Sequence, residues 1–149
     1  MVSPKINLIT GGAGFLGSHL TERLLINREK VICIDNFISG RKENILKWNL
    51  NPNFEFIEHD VINPLNIKVD KIWHFACPGS PNHHKKDPIQ TSRINFLGTY
   101  NMLKIAETNN AKFLMASTSE IYGNPEIHPQ PESYNGSVKT NGIRSCYSE

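Results

Sequence analysis

A glycine-rich segment near the amino terminus has the residue types and spacing of a loop that binds a phosphate. Residues 11–17 read GGAGFLG. In such a loop Gly11 allows a tight turn, Gly14 lets the backbone approach a pyrophosphate, and Gly17 permits close packing of a helix against a strand. The N-terminus of a following helix adds free N–H groups and a positive dipole end for the anion. The segment therefore predicts a dinucleotide-binding site.

An acidic residue, Asp35, follows at the distance expected for recognition of a ribose, roughly 20 residues after the glycines. It ends the apolar run KVICID. A carboxylate at this place accepts hydrogen bonds from both hydroxyls of the adenosine ribose and repels a 2′-phosphate, so NAD is favoured over NADP. Arg41 and Lys42 keep the alternative open, because an arginine can hold a 2′-phosphate.

Alternating strands and helices must position these residues. Leu16, Leu20 and Leu24 recur at helical spacing and predict a helix from about residue 14 to residue 27. Short β-branched and apolar runs predict five strands. These strands cover residues 5–10, 30–35, 54–58, 70–76 and 112–117. We therefore predict an α/β fold of the Rossmann type, with a doubly wound parallel sheet in the order 3-2-1-4-5.

The remaining pattern consists of loops and two further helices. A short helical piece is expected near residues 43–48, and a loop at residues 78–81. A long helix is expected to follow Asp87, with Pro88 in its first turn and Ile89, Phe96, Tyr100 and Leu103 on one face. Residues 132–149 have no counterpart to pack against in the visible sequence, so they are expected to belong with a missing half.

Composition excludes several classes of function. The net charge of +2, without a basic run longer than two residues, argues against a nucleic-acid or membrane partner. No apolar stretch reaches the length that spans a bilayer. The three cysteines are too few and too widely spaced for a disulfide framework, which favours a reducing, cytoplasmic environment. The six histidines lack metal-ligand spacing, so no metal is expected.

The glycine spacing and two further segments together resemble a known family. The spacing G-x-x-G-x-x-G resembles the extended short-chain dehydrogenase/reductases that act on nucleotide sugars. Asp60 and Val61 follow the third strand and resemble the adenine-contacting pair of that family; the alternative is a helix cap by Asp60. Residues 116–123, ASTSEIYG, resemble its active-site strand end, where Thr118 would contact the sugar. Here the alternative is a capping sequence.

Within this branch the chain resembles the UDP-glucuronate decarboxylases, and the resemblance runs from residue 5 to residue 149. The triplet Thr118, Ser119 and Glu120 is typical of decarboxylases, whereas 4,6-dehydratases usually carry Thr-Asp-Glu and 4-epimerases Ser-Ser with a small residue. The other segments that carry the resemblance are residues 35–44, 74–81, 95–103, 128–132 and 144–147.

The resemblance implies a reaction and the residues that perform it. NAD would take a hydride from C4 of UDP-glucuronate while Tyr147 removes the hydroxyl proton, and the resulting 4-ketone would let carbon dioxide leave. Tyr147 and Thr118 would stabilise the oxyanion. Glu120, with Ser119 beside it, would position water or the sugar ring during protonation. Return of the hydride would give UDP-xylose.

The resemblance also implies further binding residues. Asn66 stands where a tyrosine is usual, and Arg93 replaces a usual lysine. The implied substrate contacts are Leu65, Asn66, Arg93 and Asn101. The implied cofactor contacts are Gly11, Gly14, Phe15, Leu16, Gly17, Asp35, Asn36, Ser39, Gly40, Asp60, Val61, Phe75 and Cys77.

The last expectation is that residues 1–149 form only part of a domain. The family places a lysine four residues after its catalytic tyrosine, which would be position 151. Residues 1–149 are therefore expected to be an incomplete NAD-binding Rossmann domain, without the last strands and the substrate domain. It would be inactive alone, and the full-length parent would be a homodimer. Two alternatives remain: a nucleotide-sugar 4-epimerase or 4,6-dehydratase, and an inactive NAD-binding module that pairs with a full-length relative.

Overall fold

The computed structural model describes residues 4–141 and 145–148, with the side chains of residues 83–85 and 148 left aside. Five strands alternate with helices along the chain. The strands are β1 (Ile6–Thr10), β2 (Lys30–Asp35), β3 (Phe54–Glu58), β4 (Lys71–His74) and β5 (Lys112–Met115). The α-helices are α1 (Phe15–Ile26), α2 (Glu43–Leu46), α3 (Pro81–Lys86), α4 (Pro88–Arg93), α5 (Thr99–Asn109) and α6 (Ser145–Ser148). A π-helical segment (Ile94–Gly98) joins α4 to α5, and a 3₁₀ turn (Ser119–Tyr122) follows β5.

The five strands form one parallel sheet in the order β3-β2-β1-β4-β5. This confirms the predicted doubly wound fold. The predicted fourth strand is longer than the observed β4 at both ends. Its first residue, Asp70, instead accepts a hydrogen bond from the Ile6 N–H through its carboxylate at 2.8 Å. At the other end, the Phe75 N–H is shared between the carbonyl and the hydroxyl of Thr10, at 3.2 and 3.1 Å, and the Ala76 N–H donates to the same hydroxyl at 3.0 Å.

The sheet is covered by apolar side chains on both faces, as parallel sheets require. Neighbouring strand residues such as Leu8 and Ile9 belong to different clusters, because successive side chains of a strand point to opposite faces. One cluster packs against α5 through Met102 and Ile105. The other packs against α1 through Leu24. The sheet is thereby fixed between the two helices that flank the predicted site.

The predicted long helix is present but has an interruption. Asp87 caps it by accepting a hydrogen bond from the Gln90 N–H at 2.9 Å, and Pro88 lies in its first turn as predicted. The π-helical segment ends at Gly98, where a Cβ would lie 2.7 Å from Cγ2 of Val61. The helix therefore lies very close to the loop after β3.

Two expectations about the connecting segments are wrong. Residues 78–81 do not form a loop throughout, since α3 begins at Pro81. The segment after residue 132 does find a counterpart within the chain. The Ser137 N–H donates to the Tyr122 carbonyl at 2.9 Å, and the Tyr134 ring stacks on Tyr122 with centroids 6.0 Å apart. The segment is thereby tied to the 3₁₀ turn that follows β5.

Across residues 4–141 and 145–148, no helix is long and apolar enough to cross a membrane. In the same part of the chain, no three His, Cys, Asp or Glu side chains cluster in a way that could hold a metal ion.

Candidate functional site

A cavity of about 250 Å³ lies at the carboxyl edge of the sheet, between the glycine-rich loop and the ends of β2 and β4. In doubly wound sheets this edge is where ligands bind. Eleven predicted cofactor residues line it: Gly11, Gly14, Phe15, Leu16, Gly17, Asp35, Asn36, Ser39, Val61, Phe75 and Cys77. It is also lined by residues that the sequence analysis did not single out, namely Ile34, Ile38, His59, Ala76, Pro78 and Ile94. His59 could have been found from the sequence, because it stands directly before the pair Asp60 and Val61.

The glycine-rich loop has the geometry of a phosphate cradle. Gly11 has a φ of +68°, and a Cβ there would lie 3.0 Å from the carbonyl carbon of Phe75. A Cβ on Gly17 would overlap the carbonyl oxygen of Gly11. Helix α1 starts after Gly14, and no side chain among the described residues caps it with a hydrogen bond. The first-turn N–H groups therefore face the cavity as donors for an anion.

Asp35 is held in place by backbone donors from both sides. Its Oδ2 accepts a hydrogen bond from the Ala13 N–H at 3.0 Å, and its Oδ1 accepts one from the Phe37 N–H at 2.8 Å. Burial, to 9% exposure, raises the pKa of the Asp35 carboxyl, and the backbone hydrogen bonds oppose that shift. A Cβ on Gly40 would lie 2.8 Å from both carboxylate oxygens. Gly40 does not line the cavity but leaves room for the carboxylate that does.

Asp60 lies behind the cavity wall. Its Oδ2 accepts a hydrogen bond from Asn36 Nδ2 at 3.0 Å, and its Oδ1 accepts one from the Ile62 N–H at 3.1 Å. Asp60 thus joins the loops after β2 and β3, while its neighbour Val61 lines the cavity. No helix begins after Asp60, so its bond to the Ile62 N–H closes a turn and the helix cap kept as the alternative is wrong. An adenine contact by Asp60 stays a prediction.

A second, larger cavity of about 550 Å³ adjoins the first. The two share Leu16, Phe75, Ala76 and Cys77 in their walls. Thr118 and Tyr147, two of the predicted catalytic residues, line the larger cavity. The remaining lining is mostly apolar: His74, Gly79, Asn95, Phe96, Thr99, Tyr100, Leu103, Met115, Ala116, Ser117 and Ile121. The chain therefore places a phenol and a hydroxyl in a cavity that shares part of its wall with the glycine-lined cavity.

Ser119 and Glu120 stand apart from that lining. They begin the 3₁₀ turn, whose Glu120 N–H donates to the hydroxyl of Thr118 at 3.2 Å. Thr118 is therefore also a cap, the alternative that the sequence allowed. Ser119 is exposed and Glu120 half-buried. Their catalytic roles stay predictions.

Asn95 is a residue that the sequence analysis did not assign. Cys77 Sγ donates to Asn95 Oδ1 at 3.0 Å, and Asn95 Nδ2 donates to the Cys146 carbonyl at 3.2 Å. Asn95 therefore connects the wall shared by the two cavities to the residue before Tyr147. It lies in the π-helical segment, a type of irregularity often found at functional sites. The sequence motif NFLGTYNML contained it, but its partner lies far along the chain and gave no signal.

The four predicted substrate contacts do not meet at the larger cavity. Leu65, Asn66 and Asn101 line a third cavity of about 320 Å³, which shares only Tyr100 with the larger one. Asn101 Nδ2 donates to the Val61 carbonyl at 2.9 Å and so supports the loop after β3. Arg93 is exposed at the end of α4 and lines none of the three cavities. Substrate contacts by these residues stay predictions.

A protein-family model matches almost the whole chain. The model describes the GDP-mannose 4,6 dehydratase family, and it matches residues 8–149.

Curated relatives are similar over nearly all of this chain but only over part of their own length. UDP-glucuronic acid decarboxylase 4 of Arabidopsis thaliana is 53% identical over 95% of this chain and 32% of the relative. UDP-glucuronic acid decarboxylase 3 of the same plant is 53% identical over 95% of this chain and 42% of the relative. UDP-glucuronic acid decarboxylase 1 of Xenopus tropicalis is 52% identical, over 34% of its length. The chain thus spans about a third to two fifths of these proteins.

Several solved structures have the same fold. UDP-N-acetylglucosamine 4-epimerase from Methanobrevibacter ruminantium, in complex with UDP-N-acetylmuramic acid, is 30% identical with a TM-score of 0.80 over 91% of this chain and 45% of that one. The Bordetella bronchiseptica enzyme WbmH in complex with NAD+ is 26% identical with a TM-score of 0.83, over 98% of this chain and 49% of that one. The enzyme WbmG of the same bacterium, in complex with NAD and UDP, is 27% identical with a TM-score of 0.80, over 98% and 48%.

Proposed function

The chain belongs to the GDP-mannose 4,6-dehydratase family, and we propose that it is the NAD-binding part of an enzyme that decarboxylates UDP-glucuronate to UDP-xylose. One observation carries the proposal: Thr118 and Tyr147 line a cavity that shares a wall with the glycine-lined cavity. The similarity to UDP-glucuronic acid decarboxylases at 53% identity supports this reaction over others of the family.

The residues of the smaller cavity fit NAD. The glycines leave a cradle that a Cβ at Gly11 or Gly17 would fill, and the uncapped start of α1 supplies donors for a pyrophosphate. Asp35 is positioned to accept the hydroxyls of a ribose, and its negative charge disfavours a 2′-phosphate. Arg41 and Lys42 are both exposed, outside the cavity lining. These features support NAD as the cofactor.

Bound NAD would supply the oxidation of C4 of the sugar and its later reduction. Tyr147 takes the proton of the C4 hydroxyl, and Thr118 donates a hydrogen bond to the oxygen that remains. With a ketone at C4, the carboxylate at C5 is a β-keto acid, so loss of carbon dioxide leaves its electron pair delocalised onto that oxygen. Thr118 and Tyr147 stabilise the developing charge. Glu120 and Ser119 position water or the ring for protonation of C5.

A 4-epimerase is the second candidate, because solved structures with this fold and about 30% identity are UDP-sugar 4-epimerases. An epimerase shares the first oxidation but keeps the carboxylate. The triplet Thr118, Ser119 and Glu120 favours the decarboxylase. The two candidates differ in their products, so a product assay separates them.

The cofactor proposal is tested by calorimetric titration of the 149-residue chain with NAD⁺ and, separately, with NADP⁺. We expect binding of NAD⁺ with a clear preference over NADP⁺. Equal affinity for the two would contradict the role of Asp35. No binding of either would mean that these residues do not form a competent site without the rest of a longer protein.

The reaction is tested with a full-length protein that carries this sequence and with UDP-glucuronate labelled at its carboxylate carbon. We expect labelled carbon dioxide and UDP-xylose, with both lost in Tyr147→Phe. Tyr134→Phe is the matched control, because it also removes a phenol hydroxyl but lies outside the lining of the larger cavity. A product that retains the label would favour the epimerase.

For the whole protein we further propose a UDP-sugar as substrate, a homodimer as assembly and the cytoplasm as location. The larger cavity next to the cofactor cavity supports a sugar substrate. A stripe of exposed apolar side chains on the long helix supports the dimer. The three cysteines are unpaired, which fits a reducing compartment.

A further inference from the structure

A buried histidine in the wall of the larger cavity has no part in the proposed binding of cofactor or in the proposed reaction. His74, the last residue of β4, is 4% exposed. Its Nδ1 lies 2.7 Å from the hydroxyl oxygen of Thr10, the last residue of β1. Its Nε2 lies 3.2 Å from the hydroxyl oxygen of Thr99, the first residue of α5. The imidazole thus joins two strands and a helix at the edge where the cavities open.

Counting protons around Thr10 fixes the tautomer of His74. The Thr10 hydroxyl oxygen accepts hydrogen bonds from the N–H groups of Phe75 at 3.1 Å and Ala76 at 3.0 Å. The Phe75 N–H is shared with the Thr10 carbonyl oxygen, which lies 3.2 Å away. A hydroxyl has two lone pairs and one hydrogen, so both lone pairs are used and the hydrogen remains to be donated. Nδ1 of His74 is therefore the acceptor. A proton on Nδ1 would give the oxygen a third donor and would leave the hydroxyl hydrogen without an acceptor among the hydrogen bonds of the described residues. The neutral ring then carries its proton on Nε2 and donates to Thr99.

The hydrogen bonds on the other side of the ring fit a proton on Nε2. The Thr99 hydroxyl donates to Sδ of Met115 at 3.8 Å, which leaves a lone pair for the His74 N–H. Burial lowers the pKa of His74 to about 4, so the ring is neutral near pH 7. Every donor of this network, from the Phe75 and Ala76 amides to the Thr99 hydroxyl, therefore has an acceptor.

The two amides at the start of this network lie in the wall of both cavities. Phe75 and Ala76 are among the residues shared by the cofactor cavity and the larger one. The backbone of Phe75 also lies against Gly11, where even a Cβ would meet its carbonyl carbon at 3.0 Å. A shift of this backbone would therefore alter the space between the glycine-rich loop and the larger cavity.

We propose that His74 is a positioning residue: as the Nε2–H tautomer it holds the Thr10 hydroxyl as acceptor for the Phe75 and Ala76 amides, and so fixes the wall between the two cavities. It acts on the cofactor through Thr10 and does not touch it. The expected effect on cofactor affinity rests on the proposed NAD site. The tautomer of His74 and the hydrogen bonds of the Phe75 and Ala76 amides do not depend on it.

Two substitutions separate the two sides of the ring. In His74→Asn the amide oxygen can take the place of Nδ1 and accept from Thr10. In His74→Gln the amide lies near the place of Nε2, so it can donate to Thr99 but leaves the Thr10 hydroxyl without its acceptor. We expect His74→Gln to weaken NAD⁺ binding about tenfold, as loss of a buried hydrogen-bond partner does, and His74→Asn to retain most of the affinity. His128→Gln, an exposed histidine outside the lining of either cavity, is the control.

The readouts distinguish positioning from mere stability and do not all depend on NAD⁺. Nitrogen-15 NMR of the histidine rings in the unliganded chain should show Nδ1 of His74 unprotonated and Nε2 protonated. Hydrogen exchange at the Ala76 amide should accelerate in His74→Gln and not in His74→Asn. The Phe75 amide should respond less, because it also donates to the Thr10 carbonyl. Titrations are compared only at temperatures where both variants are folded.

Three results would overturn the proposal. The first is a proton on Nδ1 in the folded chain. The second is equal loss of NAD⁺ affinity in His74→Asn and His74→Gln, and the third is unchanged affinity and exchange in both. If the parent chain does not bind NAD⁺, residues 1–149 alone do not form a competent cofactor site, and the tautomer with the two amide exchange rates still decides the role of His74.

Discussion

At the scale of single residues, Asp35 illustrates how a charged group is prepared for a ligand. Its two oxygens are already oriented by N–H groups from the loops on either side, and Gly40 leaves the space in which they sit. The cost of burying the carboxylate appears as a raised pKa, which the backbone donors oppose. A side chain held in this way would lose little conformational entropy on binding the ribose that we propose as its ligand.

Asp35→Asn should therefore weaken binding of NAD⁺ by about tenfold or more, because a hydrogen bond to a charged acceptor is replaced by one to a neutral amide. The preference for NAD⁺ over NADP⁺ should also shrink. Calorimetric titration with both cofactors measures this. Glu55→Gln is a matched control, since it removes a carboxylate from the exposed side of the neighbouring strand β3. An equal loss of affinity in both variants would refute a specific role for Asp35.

His74 makes stability depend on pH with a definite sign. Its pKa falls from 6.5 to about 4 in the folded chain because burial disfavours the charged ring. The stability due to the neutral ring is complete above pH 6.5 and is lost as the pH falls towards 4. The loss should be on the order of 3 kcal/mol. Asp35 opposes this trend, because its raised pKa favours the folded state as the carboxyl protonates.

Urea unfolding at a series of pH values between 7 and 4 measures this dependence. The expected outcome is a decline in the free energy of unfolding that is smaller in His74→Asn, which has no ring to protonate. Glu29, whose pKa is lowered first by its hydrogen bond from Asn7, also contributes to acid lability in both proteins. An identical slope in parent and variant would show that His74 is not the group responsible.

At the scale of elements, the π-helical segment shows how close packing fixes a helix. Gly98 lies so near Val61 that a Cβ would approach Cγ2 to 2.7 Å, and Val61 is a stiff β-branched residue. The close approach brings the helix against the loop after β3, whose Val61 lines the glycine-lined cavity. Asn101, one turn further on, fastens the same loop by donating to the Val61 carbonyl.

Gly98→Ala should destabilise the chain by about 1–3 kcal/mol through overpacking, although alanine is the better helix former. Combining it with Val61→Ala should recover part of that loss, because the smaller side chain makes room for the new methyl group. A double-mutant cycle by urea unfolding measures the coupling. Additive effects of the two substitutions would contradict the contact.

The sequence predicted those elements whose formation depends on a local pattern of residues. The β-branched runs predicted the five strands, and the alternation of strands with helices predicted their order. Residues 11–17 and Asp35 predicted where a cavity lies, because turn geometry and periodicity are local. Helix α3 was missed because its sequence PNHHKK has no apolar periodicity. The roles of His74 and Asn95 were missed because their partners, among them Thr10 and Cys146, are distant in sequence.

At the scale of the whole molecule, the chain leaves apolar surface uncovered on one side of the long helix and at the β5 edge. Ile89 and Phe96 are 75% and 72% exposed, and Tyr100 and Leu103 lie on the same face. Leu114 and Met115 of β5, the outermost strand of the sheet beside β4, are also exposed. The predicted helix face is therefore present and largely exposed, and three of its side chains, Phe96, Tyr100 and Leu103, also border the larger cavity.

Such a patch should drive association, since burial of each large apolar side chain contributes roughly 1.5–3 kcal/mol. We expect the 149-residue chain to self-associate, and Phe96→Glu and Leu103→Glu to shift it towards monomer, because a charge opposes burial of the helix face. Sedimentation velocity over a wide concentration range measures this. Leu50→Glu is the control: Leu50 is 99% exposed and lies just after α2, away from the stripe, so its charge should leave the association unchanged. A parent chain that stays monomeric, or a Leu50→Glu variant that dissociates as readily as the stripe variants, would show that the helix face is not the surface through which the chains meet.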